Sequence, residues 1–445
     1  MENGSNNILL AFYGDDFTGS TDALEWLSKA GAKTVLFIAP PLPEQLAQYE
    51  GLQAYGVAGN TRAMNPADME KTLAAAFTQL KASGARHIHY KVCSTFDSSP
   101  SIGSIGKAID TGMQVLGNPF TPLLVAAPAL GRHCVFGNLF ARMGTAGAGS
   151  IYRLDRHPSM SKHPVTPADE SDLRLHLAKQ TTKQIALLDI LQLSKPLPEL
   201  RATAEALIAS NAEILLIDAL YQEQLLPIGA LLEVWSRRGL LFSVGSSGVE
   251  MALGQYWNKN NILNTVSDWP SPDRKSPLLV ICGSCSPVTA RQVAWAMANG
   301  FEEVVLDVAA VRNNDEAAIA SATIAARGPL QRGQSVIIHT NGFSGSNDNL
   351  PSQQLGTALG AIARALAAEQ LYQRLVVAGG DTSSYAARAM GIESVEMIAA
   401  LVPGAPLCKA TATGSPLHGM EVNFKGGQVG AENYFGVLLE GRRNE

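Results

Sequence analysis

Cysteine is scarce in this chain and odd in number: five residues, at 93, 134, 282, 285 and 408, do not make a disulfide framework. Long apolar runs are missing too, and none reaches the roughly 20 residues that cross a bilayer. Met1 to Asn7 is polar, with no basic stretch ahead of an apolar core, so no secretory leader is expected and the cytoplasm is the expected compartment. Net charge is also slight. Thirty-four Lys and Arg against 39 Asp and Glu leave −5, which disfavours a general nucleic-acid binder. An anionic substrate would have to be met by local Lys or Arg. Two phosphate-binding signatures are absent: no Gly-x4-Gly-Lys-Ser/Thr loop, and no Gly-x-Gly-x-x-Gly after a strand. A standard dinucleotide domain is thereby disfavoured. Cys282 and Cys285 have the spacing of a redox or metal pair, but no second pair accompanies them. Cys282 falls inside the apolar run "PLLVIC", where a small buried thiol is ordinary.

What is present is alternation. Apolar residues make up 46 % of 445, and many of the 41 glycines adjoin apolar runs, which suits the strand-to-helix turns of α/β proteins. "NILLAFY", "KTVLFIA", "LQAYGVAG", "RHIHYKV" and "PLLVAAP" read as short buried strands, separated by helical patterns such as "NPADMEKTLAAAFTQLKASG". That helix should start at Asn65-Pro66 and end at Gly84. Between Gly137 and Pro167 the periodicity fails, which reads as a long irregular excursion. A polar, Asn- and Pro-rich stretch over 256–277 then separates two alternating series. The expected fold is α/β in two domains, 1–255 and 278–445. Each is a mainly parallel sheet flanked by helices, with a cleft between them and 256–277 as linker.

Parallel strands deliver their C-terminal ends to one edge, where ligands bind. In the first domain those ends carry Asp15-Asp16, Asn60-Thr61-Arg62, Lys91 with Ser94-Thr95, and Pro128 through Arg132. Two adjacent acids repel unless something binds them. Asp15 or Asp16 could be only a helix N-cap, Lys91 a solvated edge residue, and Arg62 half of a surface ion pair. His87 and His89 lack ligand-spaced partners and read as structural. Together, two acids and two bases suit a small hydroxylated acid. The bases would hold its carboxylate, and one Asp would take a hydroxyl proton. The second domain has glycine and hydroxyl residues at strand ends instead: "CGSCS", "AGGDTSS" and "KGGQVG". Such turns offer backbone N–H groups to phosphates. Acid chemistry in one domain and phosphate turns in the other suggest phosphoryl transfer, with Mg²⁺ neutralising charge.

"DDFTGSTDA", "YKVCSTFDSS", "HPVTP", "GSSG", "GSCS", "GGDTS", "VPGAP" and "KGGQVG" occur in one order over nearly the whole chain. In this the chain resembles the four-carbon acid sugar kinases, ATP-dependent kinases of small sugar acids. The resemblance implies substrate contact for Asp15, Asp16, Arg62 and Lys91; Asp16, or its neighbour Asp15, is then the expected catalytic base, with Ser94 and Thr95 as substrate-side residues in the adjoining loop. For ATP it implies Ser284, Gly379, Gly380, Asp381, Thr382 and Gly404, with Lys425 and Gly427 near the phosphates; Gly283 and Ser286, in the same turn as Ser284, are expected to join them. "CSTFDS" and "HPVTP" are most similar to the 3-oxo-tetronate kinase branch. The stretch 141–156 departs from it, which keeps 3-oxo-isoapionate and threonate or erythronate as alternatives. A two-domain sugar-acid binding protein is the non-kinase alternative. The expected partners are a sugar acid and ATP, without nucleic acid or membrane, and self-association stays open.

Overall fold

The computed structural model describes residues 8–143, 149–163, 165–284, 286–313, 316–340 and 350–442. The chain divides into two compact units, Met1–Thr34 with Pro40–Val266, and Val35–Ala39 with Ser267–Glu445. Strands are numbered in chain order. In the first half they are β1 (Leu10–Gly14), β2 (Thr34–Phe37), β3 (Ala54–Ala58), β4 (His87–Lys91), β5 (Thr121–Leu124), β6 (Arg132–Val135), β7 (Asn138–Arg142), β8 (Ile151–Arg153), β9 (Ile185–Leu188), β10 (Ile214–Ile217) and β11 (Leu241–Gly245). The second half adds β12 (Leu278–Cys282), β13 (Glu302–Val305), β14 (Val336–His339), β15 (Arg374–Ala378), β16 (Ser394–Val402), β17 (Ala405–Thr411) and β18 (Glu421–Lys425).

In the first unit the order β3-β1-β4-β11-β5-β10-β9 forms a wholly parallel sheet. β1, β3, β4 and β11 are buried throughout, as strands covered by helices on both faces must be. The register sets Ala58, Gly14, Lys91, Gly245 and Leu124 in one row at the C-terminal edge. Everything that follows those residues therefore gathers at one place. The helix Pro66–Ala82 begins as its sequence dictates: Asn65 accepts from the amides of Ala67 and Asp68, and Pro66 supplies a preset φ.

The stretch after Gly137 is more regular than its periodicity suggests. β6, β7 and β8 make a small antiparallel sheet, followed by short 3₁₀ turns. Three-residue and five-residue strands with half-exposed faces leave too few apolar positions for a period-2 signal. Its anchor is Asp218, at the end of β10. This fully buried carboxylate accepts from the amides of Phe136 (2.6 Å), Gly137 (3.0 Å) and Ile190 (3.1 Å).

In the second unit β13-β14-β12-β15-β18 are parallel, and β17, β16 and β2 continue the sheet antiparallel. β2 thus pairs with β16, Leu36 opposite Val395, despite its place in the first tenth of the chain. Strand ends Cys282, Ala378 and Lys425 are in register. The core packs Val280, Val376, Leu407 and Phe435. No helix among the described residues is long and apolar enough to cross a membrane.

Candidate active site

β1 ends at Gly14, and the next two side chains are the paired acids. Asp16 caps the helix Phe17–Lys29, accepting from the Gly19 amide (2.9 Å) and from Thr18 Oγ1 (2.9 Å). Asp15 does not cap anything. Only 2 % exposed, it receives a side-on guanidinium: Arg62 Nε donates to Oδ2 (3.0 Å) and Nη2 to Oδ1 (2.8 Å). The same Nη2 reaches Asp16 Oδ1 at 2.9 Å. Arg62 is placed by its own backbone, which donates to the Asp15 carbonyl at 3.0 Å. One cation therefore clamps both carboxylates, which removes the repulsion between adjacent acids.

Lys91 supplies the second positive charge. It is 3 % exposed, and its ammonium has no hydrogen bond among the described residues. A Cβ on Gly19 would sit 2.8 Å from Lys91 Nζ and would collide with Asp16 Oδ1. Any side chain at 19 would therefore displace both the Lys91 ammonium and the Asp16 carboxylate at the helix start. Burial alone would push the Asp16 carboxyl up. Arg62, Lys91, Thr18 and the Gly19 amide together outweigh it and hold the group below the usual carboxylate range. For Asp15 burial prevails, and its carboxyl is raised despite Arg62. The two neighbours thus have different electrostatic characters, the usual basis for a division of labour. Ser94 is half-buried in the loop after β4, and Thr95 Oγ1 turns to Asp97 (2.9 Å) rather than to the acids.

Behind Lys91, on the same face of β4, stand His89 and His87. Both share Ser243 Oγ, at 2.9 Å from His89 Nδ1 and 2.7 Å from His87 Nε2. Burial pushes His87 down to about 3 and His89 well below its usual value, so both are neutral structural groups. Beside them lies Glu250, fully buried, 3.6 Å from His89 Nε2 and pushed up to about 8 by burial. Glu250 is not marked out by local pattern, because "GVEMALGQYWNK" reads as an ordinary helix with its acid at the first turn.

In the second unit three turns converge. Ser286 caps the helix Pro287–Ala298, accepting from Thr289 N at 3.1 Å, while its hydroxyl also donates to the Gly427 carbonyl. Thr289 Oγ1 donates to the same carbonyl at 2.9 Å. Gly379 N donates to Lys425 O (2.9 Å) and Gly283 N to Ala378 O (3.1 Å). Gly379 has φ +124, a conformation that favours glycine, and a Cβ there would crowd Thr382 Oγ1 and the Ser284 amide. Gly380 and Asp381 open the next helix, with the exposed Asp381 accepting from Ser352 Oγ at 3.2 Å. Lys425 is fully buried, donates to Thr289 Oγ1 (2.9 Å) and lies over the Tyr434 ring, with no acid paired to it among the described residues. Burial lowers its ammonium to about 8. Gly404 occupies the β16–β17 turn with φ +77, and the register with Leu407 opposite Asn423 carries that turn towards the Lys425 end of β18. Cys285 lies outside the described residues, and no group of three His, Cys, Asp or Glu side chains among the described residues could hold a metal.

Comparison with known proteins matches both units. Residues 10–253 fit the model of a sugar-binding N-terminal domain, and 279–435 that of a nucleotide-binding C-terminal domain. The chain is 42 % identical to the 3-oxo-isoapionate kinase of Paraburkholderia graminis, over 99 % of this chain and 97 % of that protein. It is 30 % identical to the 3-oxo-tetronate kinase of Burkholderia multivorans, over 99 % and 98 %. The fold is that of a Salmonella typhimurium crystal structure described as a candidate tRNA synthase, with TM-score 0.76, 26 % identity and coverage of 97 % and 98 %. A Haemophilus influenzae protein shares it at TM-score 0.71 and 22 % identity, over 96 % and 98 %. Two domain models in this order and a full-length relative at 42 % identity settle its kinship: the chain is a sugar-acid kinase of the four-carbon acid sugar kinase family.

Proposed function

We propose that this enzyme transfers the γ-phosphoryl group of ATP to a hydroxyl of an oxidised sugar acid, and that 3-oxo-isoapionate is its substrate. The acid assignment follows the relative named for it, at 42 % identity against 30 % for the 3-oxo-tetronate kinase quoted above. 3-Oxo-tetronate is the second substrate to test. The observation that carries the mechanism is the asymmetry of the acid pair. Asp15 is locked side-on to Arg62, whereas Asp16 is held in its ionised form next to Lys91. In this reading Asp16 accepts the proton of the attacking hydroxyl, and Arg62 fixes its angle. Lys91 neutralises charge as the oxygen attacks. Ser94 and Thr95 line the substrate's side of the loop.

In the second unit, the amides of Gly283, Ser284 and Ser286 and those at 379–382, with Lys425, Gly427 and Gly404, receive the nucleotide phosphates. Lys425 supports this role because it is a buried cation with no acid paired to it among the described residues. Mg²⁺ fits the site only as an ion carried largely by phosphate oxygens, since the described residues offer no three-ligand cluster. Asp381, an exposed carboxylate at the start of its helix, is the residue proposed to hold it through bound water or directly. When bound, the ion neutralises phosphate charge. We place the enzyme in the cytoplasm.

ADP release measured over a panel of four- and five-carbon aldonic and oxo-aldonic acids tests the reading. Turnover on 3-oxo-isoapionate above that on 3-oxo-tetronate is expected, and the reverse order would overturn the substrate assignment. Asp16→Asn should lower kcat by about 10²- to 10⁴-fold, the range for loss of a general base, with ATP affinity unchanged. Wild-type kcat in that variant would remove Asp16 as the base.

A further inference from the structure

The substrate's own carboxylate also needs a receptor. Arg62 has Nε and Nη2 committed to the two aspartates, and the Lys91 ammonium lies beside Gly19, within electrostatic reach of Asp16. One other guanidinium follows a strand end of the same parallel sheet. Arg132 closes the turn after β5, where Ala127 and Arg132 exchange backbone hydrogen bonds (3.0 and 3.2 Å) around the 3₁₀ turn Pro128–Leu130. Gly131 allows that closure with φ +69. The backbone of Arg132 is further fixed by pairing with Ala141 in β7.

Its side chain is arranged unequally. Nη1 donates to three backbone carbonyls, those of Leu130 (2.9 Å), Gly131 (3.4 Å) and Arg142 (3.3 Å). Among the described residues the buried Nε has no partner, and Nη2 has none either. No ion pair joins Arg132 to any described acid, although Asp97, Cys93 and Asp22 are within electrostatic reach. Burial outweighs those neighbours and disfavours the charged form, as expected of a cation lacking its counter-ion. A buried donor without a partner is costly, more so on a charged group, so the unpaired Nε calls for an explanation. The Nε–Nη2 edge is the one that grips carboxylates side-on, and Arg62 shows that mode on Asp15 in the same unit.

We infer that Arg132 is the receptor for the substrate's carboxylate, binding both its oxygens through the Nε–Nη2 edge. This rests on the sugar-acid reading. The placement is chemically economical: carbonyls orient one nitrogen of the fork, and the Nε–Nη2 edge carries no protein partner among the described residues. It also separates tasks within the site, with Arg62 ordering the catalytic acids and Arg132 selecting acids over neutral sugars.

Equilibrium titration of threonate, 3-oxo-tetronate and 3-oxo-isoapionate, each beside its uncharged carboxamide, tests the inference in wild type, Arg132→Gln and Arg132→Lys. Arg132→Gln should weaken the acids on the order of 100-fold, the scale of a lost charge-assisted bidentate pair, and leave the amides within about threefold. Arg132→Lys should recover part of the acid affinity. Retained amide and ATP binding certifies that both units are folded. Equal loss of acid and amide, or no loss of either, would overturn the role of Arg132 while leaving the kinase reading intact. Failure of wild type to bind any of the three acids would instead defeat the sugar-acid reading, and the inference with it.

Discussion

Replacing Arg62 with Ala is the perturbation that most directly probes how two adjacent acids coexist. The wild-type arrangement has three charge-assisted hydrogen bonds from one guanidinium, at 2.8, 2.9 and 3.0 Å, to side chains that are 3 % (Asp15) and 15 % (Asp16) exposed. Breaking a buried pair by removing one partner costs about 3–5 kcal/mol, because the remaining charge is orphaned. Arg62 itself is 27 % exposed, so the lower end, about 3 kcal/mol, is the expected loss. The sign of the pH dependence follows from Asp15. Burial already raises its folded-state pKa, so its ionised form opposes folding. Below the pKa of the unfolded chain both states are protonated and the penalty vanishes, and it grows as pH rises. The deficit of Arg62→Ala should therefore be larger at pH 8 than at pH 4. Asp15→Asn added to Arg62→Ala should recover at least 1 kcal/mol, since neighbours in one network couple by about that much. Urea midpoints of the four proteins in this cycle, at both pH values, provide the assay. A loss under about 1 kcal/mol, or additivity of the two substitutions, would refute the clamp.

Two further outcomes follow from buried groups. Lys425, lowered to about 8 by burial, is charged below that pH and neutral above it, so ATP affinity should fall by about tenfold or more between pH 7.5 and 9.5. Lys425→Met should bind ATP weakly and without that slope, and an unchanged wild-type Kd at pH 9.5 would dissociate Lys425 from the phosphates. Glu250, raised to about 8 with His89, Lys91 and Asp22 as its charged or titratable neighbours, stays protonated in the fold after the unfolded chain has ionised. Its contribution is therefore full below about pH 4.5 and declines up to pH 8, by at most about 1.4 kcal/mol per pH step. Glu250→Gln should be more stable than wild type at pH 8 and no more stable at pH 4, as thermal midpoints would show.

Much of this was legible from strand ends. Asp15-Asp16, Arg62 and Lys91 each follow or finish an apolar run, and a parallel sheet can only bring such positions together. The helix starting at Pro66 was equally readable from its Asn-Pro cap. Other features were hidden for physical reasons. The β6–β8 sheet consists of strands too short and too exposed to show a period. Which acid Arg62 holds is a question of side-chain reach across 47 positions, which spacing does not encode. The distinction between Arg62 and Arg132 is likewise invisible in sequence: both are arginines after a strand, and only the partners of their Nε atoms separate them. β2 pairing with β16 is a contact between opposite ends of the chain, set by the sheet as a whole rather than by local pattern.

Amide hydrogen exchange with ligands added one at a time tests the central claim most directly. ATP with Mg²⁺ should slow exchange in peptides covering 379–382 and 425–427, and the sugar acid should slow it at 15–19 and 128–132. Nucleotide protection at Asp15 and Asp16, with the glycine turns of the second unit unchanged, would contradict the division of labour between the two units.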